Sequence, residues 1–276
     1  MRPVSLLMAL PMLMALTLPA YAGSFRIRAS RMSISREGKT VRLEFSRGVR
    51  ATSSEGYTVK AVGARVILGS SGFSPLSDAT EKADETVDEL PALPSMELTS
   101  RSISLIRFFG RPVLCSPEYE VSAGSFSSTD GGEKWTLSGE VRFRRVGERE
   151  REITGEQFVF DRAGNLLTTH RAITISGFST DKERVVFSAE RTVIDLTKQQ
   201  ATLTGCASFR FGAYRLDAEE MQIDLAAAKL TAPKGGFFRQ GTSELRAKYV
   251  VLWFEDSEVT LDASELTGKV RLEGVK

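Results

Sequence analysis

The sequence is poor in the side chains that carry most enzyme chemistry, and His170 is its only histidine. A Ser-His-Asp triad or a metal site built from several histidines therefore has too little material. The sequence also contains neither a G-x-S-x-G elbow nor a phosphate-binding loop. His170 lies in a polar stretch before a predicted strand, so we expect it at the surface. We expect no enzyme, and no metal or cofactor.

Two other scarcities narrow the class of protein further. Cys115 and Cys206 are the only cysteines, too few for a disulfide framework, and the sequence leaves open whether they pair. The 37 lysines and arginines nearly balance the 35 aspartates and glutamates. Nucleic-acid binding needs a concentrated basic face, which this balance does not indicate. No nucleic-acid partner is predicted.

Long apolar runs are also missing, apart from one near the amino terminus. Residues 6–18 are apolar but contain Pro11. This run is shorter than the roughly 20 residues that a membrane-spanning helix needs, and its proline weakens a helix further. An A-x-A motif ends at Ala22. The pattern predicts a signal peptide over residues 1–22, cleaved after Ala22, and export to the periplasm. An uncleaved anchor is the alternative.

Three further segments follow the predicted signal. Residues 23–68 alternate apolar with charged side chains, which predicts a first set of half-buried β-strands. Residues 69–95 are rich in serine, glycine, proline and acidic side chains, which predicts a flexible polar insertion or linker. A short helix over 78–90 is the alternative there. Strand patterns separated by polar turns resume over 96–276.

The last segment repeats itself at a nearly fixed period. Small residues at equivalent positions, 32, 34, 29 and 29 residues apart, mark the copies: Ala123, Gly155, Ala189, Ala218 and Ala247. A second motif, Leu-[Ser/Thr]-Gly-x-[Val/Ala]-x-[Phe/Leu], occurs at 137–143, 203–209 and 266–272. Each period holds two strands of ordinary length plus turns. Residues 216–230 are rich in good helix formers, but their match to residues 187–203 predicts strand there too.

Within each copy, one strand face is apolar and the other is polar or charged. Such a sheet must bury its apolar face, for instance by bending into an open jelly roll. The residues predicted to face inward are Phe187, Leu203, Phe209, Phe211, Leu216, Ile223, Val270 and Leu272. Two interpretations of the interior stay open, a filled hydrophobic core and a groove for acyl chains. Gly139 and Gly205 either leave room between aromatic side chains or mark bulges.

The repeated pattern A-[E/D]-x-x-x-ϕ-D-L, a polar turn and L-T-G-x-[A/V]-x-[F/L] resembles the OstA-like family. This family includes the periplasmic lipopolysaccharide-transport bridge proteins of the LptA type. The likeness is best over 188–272 and fair over 118–181. It implies an all-β fold, an elongated, twisted, V-shaped and open antiparallel β-jelly roll. The eight inward residues would then contact lipid A acyl chains.

The resemblance also implies partners. These are lipopolysaccharide, an inner-membrane lipopolysaccharide transporter complex and an outer-membrane translocon, with head-to-tail self-association through the terminal strands. The chain departs from a minimal bridge domain in its length and in its polar insertion. The sequence leaves open whether it is a bridge protein or a membrane-anchored relative.

Other functions remain open from the residues alone. A structural envelope or adhesin-type module with a dry core would use the same repeats. A solenoid lyase or hydrolase would need clustered carboxylates, whereas Asp195 and Asp224 recur at matching positions, which indicates a role in turns. Arginines that face outward are the candidates for contact with lipid phosphates: Arg142, Arg144, Arg210 and Arg271.

Overall fold

A computed structural model describes residues 24–38, 40–69, 95–99, 102–146, 151–178, 184–255 and 258–269. Within these ranges the chain forms one antiparallel sheet of 23 strands and no helix. The all-β prediction is therefore confirmed. None of the described segments offers a helix that is long and apolar enough to cross a membrane. The predicted signal peptide, residues 70–94 with the possible helix, Val270, Arg271 and Leu272 lie outside the described residues.

Three hairpins of long strands organise the sheet. They are β3 (Thr40–Ser53) with β4 (Thr58–Leu68), β10 (Lys134–Arg145) with β11 (Glu152–Asp161), and β16 (Gln200–Phe211) with β17 (Tyr214–Asp224). The segment with helical propensity, 216–230, contains most of strand β17, a turn and the start of the next strand, as its match to the neighbouring repeat predicts. Cross-strand packing outweighs the local preference there.

Each long hairpin has a β-bulge near its middle, where two residues of the first strand oppose one residue of the second. The bulge pairs are Arg47-Gly48, Gly139-Glu140 and Gly205-Cys206, and all six residues have positive φ. A bulge bends the strand that contains it and increases its twist. The glycine of the Leu-[Ser/Thr]-Gly motif, at both positions where the bulge is described, therefore marks a bend.

The bends divide the sheet into two leaves that share the long strands. The short strands of the front leaf are β1 (Ser24–Arg28), β5 (Ser95–Thr99), β7 (Val113–Cys115), β8 (Tyr119–Ser122), β13 (Ile173–Ser176), β14 (Val185–Ser188), β19 (Gly236–Gln240), β20 (Ser243–Ala247) and β23 (Thr267–Lys269). Those of the back leaf are β2 (Arg31–Glu37), β6 (Ile103–Phe109), β9 (Ser125–Ser128), β12 (Leu166–Thr169), β15 (Arg191–Asp195), β18 (Lys229–Ala232), β21 (Tyr249–Glu255) and β22 (Glu258–Ser264).

Small residues lie at the bend that joins the two leaves, at the positions where the repeat has its alanine or glycine. Ala123 and Ala189 each lie between a front-leaf strand and the following back-leaf strand. The next N–H in each case donates to a bulge carbonyl, from Gly124 to Gly139 O at 2.6 Å and from Glu190 to Gly205 O at 2.9 Å. The leaves approach each other most closely at this bend, so small side chains fit there.

Aspartates at matching positions hold the turns at the far ends of the back-leaf hairpins. Oδ1 of Asp161, Asp195 and Asp224 accepts a backbone N–H three residues later, at 3.2, 2.9 and 2.9 Å. This is the usual role of aspartate in a turn. For Asp195 and Asp224, the predicted structural role is the one observed.

The inner faces of the two leaves pack directly against each other. Phe187 and Phe209 of the front leaf meet Phe254 of the back leaf, with ring centroids 6.4 and 5.4 Å apart. Nearer the amino terminus, Phe25 meets Trp135 at 6.2 Å. Rings at such distances add to the stabilisation from burial. Between the leaves the described chain has one continuous hydrophobic core.

Candidate functional site

The structure places six of the eight predicted inward residues in this core. Phe187, Leu203, Phe209 and Leu216 are fully buried, and Phe211 and Ile223 are buried almost as completely. The other two, Val270 and Leu272, lie outside the described residues. The six are therefore brought together on the inner faces of the two leaves, where neighbouring side chains fill the space around them.

One apolar opening into the interior lies between the ends of the two leaves, and we call it the mouth. Its front-leaf side is formed by Tyr119, Phe143 and Ile153, and its back-leaf side by Leu196 and Leu225 from two turns. Tyr119 stacks on Phe143, with centroids 5.2 Å apart. The cavity has a volume of about 60 Å³, which is room for only a few water molecules. The mouth can admit the end of an acyl chain, and a larger occupant needs the leaves to separate.

Burial perturbs the one titratable ring in the mouth. The pKa of Tyr119 lies above its usual value, chiefly because burial disfavours the phenolate. The ring is therefore neutral at physiological pH and contributes an apolar wall with a polar tip. No pattern in the sequence marks Tyr119 as a site residue, because it lies in a short strand outside the best-matching repeat.

Charged side chains surround the apolar part of the mouth. Arg145 is the last residue of β10, Arg151 directly precedes β11, and Glu118 directly precedes β8. The guanidinium of Arg151 lies 4.7 Å from the ring centroid of Phe178 and donates to the carbonyl of Ala226 at 3.3 Å. Arg151 thus holds a front-leaf hairpin end to a back-leaf turn. Arg145 is two residues after Phe143 in β10, so the two side chains share a strand face. This shared parity was the signal in the sequence that could have indicated an arginine at the mouth.

A second bridge closes the leaves farther along. Arg162, in a back-leaf turn, forms an ion pair with Glu55 in a front-leaf turn and lies 5.7 Å from the Tyr57 ring. Burial raises the pKa of Tyr57, and the Arg162 charge partly offsets this rise. Both bridges are made by arginine over an aromatic ring, a contact that is stronger when it is partly desolvated.

The other predicted candidates that the structure describes do not line the mouth. Arg142, Arg144 and Arg210 are exposed on the outer face, as their parity predicts. His170 is exposed, and its Nδ1 donates to the carbonyl of Glu190 at 2.7 Å. Cys115 is half-buried, Cys206 is exposed, and both are free thiols. Among the described residues, no group of three or more His, Cys, Asp or Glu side chains is placed to hold a metal ion.

Among the described residues, each leaf ends in strands that pair on one side only. In the front leaf these are β5 and β23, and in the back leaf β2 and β22. The outer edge of such a strand presents backbone N–H and C=O groups that can pair with another strand. In β2 the inward-parity residue Ile34 is 55% exposed, because no described strand continues the inner face beyond it.

Comparison of the chain with protein-family models gave no match, and comparison with curated proteins gave none either.

Proposed function

We propose that this protein is a periplasmic lipid carrier that shields the acyl chains of lipopolysaccharide between its leaves. In this role it bridges an inner-membrane transporter complex and an outer-membrane translocon. The observation that carries the proposal is the mouth, an apolar opening with arginines beside it. Acyl chains gain about 0.8 kcal/mol for each methylene they bury, so binding needs no catalysis. We infer that the protein is not an enzyme.

Charge at the mouth suits an amphipathic lipid with an anionic head group. Arg145 and Arg151 lie at the ends of two adjacent strands beside the ring of Phe143. Guanidinium groups bind phosphate oxygens with paired hydrogen bonds. A lipid that enters tail first would therefore bring its phosphates to these arginines. This assignment replaces the outer-face arginines, which lie on the other side of the sheet.

Strand edges support the bridging part of the proposal. Among the described residues, β2 and β22 pair on one side only, and they lie at opposite ends of the back leaf. Pairing β22 of one copy with β2 of the next would extend the leaf and cover the exposed side chain of Ile34. Repetition of this contact would give a head-to-tail array whose apolar inner face is continuous.

The filled core favours a second candidate, a structural β-repeat module without a ligand. Phe187, Phe209 and Phe254 are each fully buried in mutual contact. A core packed in this way needs no lipid to cover it. The two candidates differ in whether a lipid ever reaches these side chains.

Photo-crosslinking with lipopolysaccharide tests the choice. A photoreactive residue at Tyr119 samples the mouth, one at Phe209 samples the interior, and one at the adjacent Arg210 samples the outer face. The carrier proposal predicts lipid adducts at Tyr119 and Phe209 and none at Arg210. Native mass spectrometry of the same samples gives the stoichiometry. Absence of adducts at both inner positions, in folded protein, would leave the structural module.

A charge placed in the mouth gives an independent test. Leu196 is half-buried in a turn, so Leu196→Glu leaves the core intact while it puts a carboxylate where a tail would enter. We expect loss of the lipid adducts at both inner positions. Val159→Glu, on the outer face of the back leaf where Val159 is 39% exposed, adds the same charge and should leave the adducts unchanged.

A further inference from the structure

The strand register forms a row of basic side chains that the sequence does not reveal. One residue from each front-leaf strand between β5 and β20 lies directly opposite the next across the outer face. In order, they are Ser95, Arg28, Arg50, Lys60, Val113, Ser122, Arg142, Thr154, Thr174, Val186, Arg210, Arg215, Arg239 and Glu244. Half of these residues are arginine or lysine, and Glu244 alone is acidic. We call this set the basic row.

The corresponding row of the back leaf provides an internal comparison. It runs through Ser33, Glu44, Arg65, Arg107, Ser127, Thr136, Val159, Thr168, Val193, Thr202, Gln222, Thr231, Val251 and Asp262. Two arginines and two acids cancel in this row, and most other members are threonine, valine or serine. The near-balanced composition of the chain therefore conceals a strong asymmetry between these two rows.

Uncompensated charge is concentrated at the amino-terminal end of the basic row. Arg28, Arg50 and Lys60 are exposed on three adjacent strands, and none of them forms an ion pair with another described residue. Like charges directly opposite each other on a sheet repel. At the other end, Arg215 and Arg239 are neutralised by Asp217 at 2.9 Å and Glu244 at 3.1 Å.

The same end of the row is concave. A shallow cleft of about 400 Å³ lies over Arg28 and Arg50, and the hydroxyls of Thr52 and Ser54 belong to its lining. Arg26 and Glu97 also belong to the lining, and they pair with each other at 3.6 Å, so the Glu97 carboxylate is compensated. The cleft therefore combines guanidinium donors with hydroxyl donors, a combination that suits carboxylate or phosphate oxygens.

We propose that the basic row binds an acidic polysaccharide, a linear polyanion that carries no nucleobases. Its principal contacts are Arg28, Arg50 and Lys60. Neighbouring strands lie about 4.8 Å apart, so these three side chains span about 10 Å. Arg142 and Arg210 continue the row, so a long chain can gain additional contacts. The proposal is independent of lipid binding, because the row lies on the opposite face of the sheet from the mouth.

Two features favour a polysaccharide over other anionic partners. Neighbouring strands rotate by about 20–25° relative to each other, so Lys60 and Arg210, seven strands apart along the row, point in very different directions. A flat membrane cannot meet both, whereas a flexible chain can. No member of the row is aromatic, so the row has no platform on which nucleic-acid bases could stack.

Binding of a size-fractionated alginate oligosaccharide, measured by titration calorimetry at several salt concentrations, tests the proposal. When three ionic contacts are lost, the slope of log K against log salt concentration becomes shallower by about two. The affinity at low salt falls by about tenfold or more. We expect both effects in R28Q/R50Q/K60Q. The matched control R42Q/R65Q/R107Q removes three exposed arginines from the outer face of the back leaf and should bind as the unmodified protein does.

The remaining outcomes decide against the proposal. Equal weakening in the two triple variants would mean that only net charge matters. A single-stranded oligonucleotide of equal charge that binds more tightly than alginate would assign the row to nucleic acid. Binding to phosphatidylglycerol vesicles that depends on Arg28, Arg50 and Lys60, without alginate binding, would assign it to a membrane. The circular dichroism spectrum and the unfolding midpoint of each variant report that the fold is retained.

Discussion

Substitution of alanine for Gly205 tests whether the bulge is the physical reason for the glycine in the repeated motif. Gly205 has a φ of 76°, a conformation in which a Cβ costs about 1–2 kcal/mol. The added Cβ would also lie 2.9 Å from the Cβ of Glu190. Glu190 cannot easily withdraw, because its N–H donates to the Gly205 carbonyl. Overpacking of this kind costs about a further 1–3 kcal/mol.

The neighbouring repeat supplies a control for the two contributions. Gly139 has nearly the same φ, 77°, but its residue at the position of Glu190 is Gly124. The nearest atom to an added Cβ there is the Gly124 Cα at 3.6 Å, an ordinary contact. Gly139→Ala should therefore cost only the backbone strain, about 1–2 kcal/mol. Gly205→Ala should cost at least about 1 kcal/mol more.

Urea unfolding followed by circular dichroism measures both costs as free energies of unfolding. In the Glu190→Gly background, Gly205→Ala should lose its additional cost and resemble Gly139→Ala. Equal costs for the two single variants would refute the role of the Glu190 contact. A cost near zero for both would refute the bulge as the reason for the glycine.

Two further predictions concern buried and turn residues. The Thr192 hydroxyl is fully buried and has no hydrogen-bond partner among the described residues, so Thr192→Val should raise the free energy of unfolding by about 1 kcal/mol. Thr169 lies directly opposite Thr192, and its hydroxyl accepts a hydrogen bond from the N–H of Arg171 at 3.1 Å. Thr169→Val should therefore lower the free energy of unfolding. The backbone N–H of Lys198 lowers the pKa of Asp195. The Asp195 carboxylate therefore stabilises the folded state above its unfolded pKa of about 4. This stabilisation is lost as the pH falls through the lowered pKa of the folded state. Asp195→Ala should flatten this part of the pH–stability profile measured by thermal unfolding.

Strand faces were predictable from the sequence because side chains alternate with a period of two. The prediction succeeded even where the alternation breaks. Leu216 and Ile223 have opposite parity in one strand, yet both are buried. The reason is the bulge, where two residues of β16 oppose only Glu219 of β17. The inward face of β17 therefore shifts by one residue, while that of β16 does not.

Long-range pairing explains what the sequence did not reveal. Tyr119 and Leu225 meet at the mouth although more than a hundred residues separate them, and no local pattern connects them. The basic row is a similar case, since Arg28 and Arg210 belong to one row only through the register of the strands between them. Composition sums over both faces of a sheet and cannot show how charge divides between them.

A filled core and a lipid carrier are energetically compatible if lipid replaces contacts between the leaves instead of filling a void. Exposing one buried phenylalanine costs about 1.5–3 kcal/mol, while an acyl tail of about ten methylenes gains about 8 kcal/mol on burial. One tail can therefore offset the separation of several rings, such as Phe187 and Phe209 from Phe254. Loading should then loosen the closure between the leaves, and hydrogen exchange should become faster at the Arg162 turn when lipopolysaccharide is bound. Uniformly slower exchange on loading would mean that lipid enters without separating the leaves.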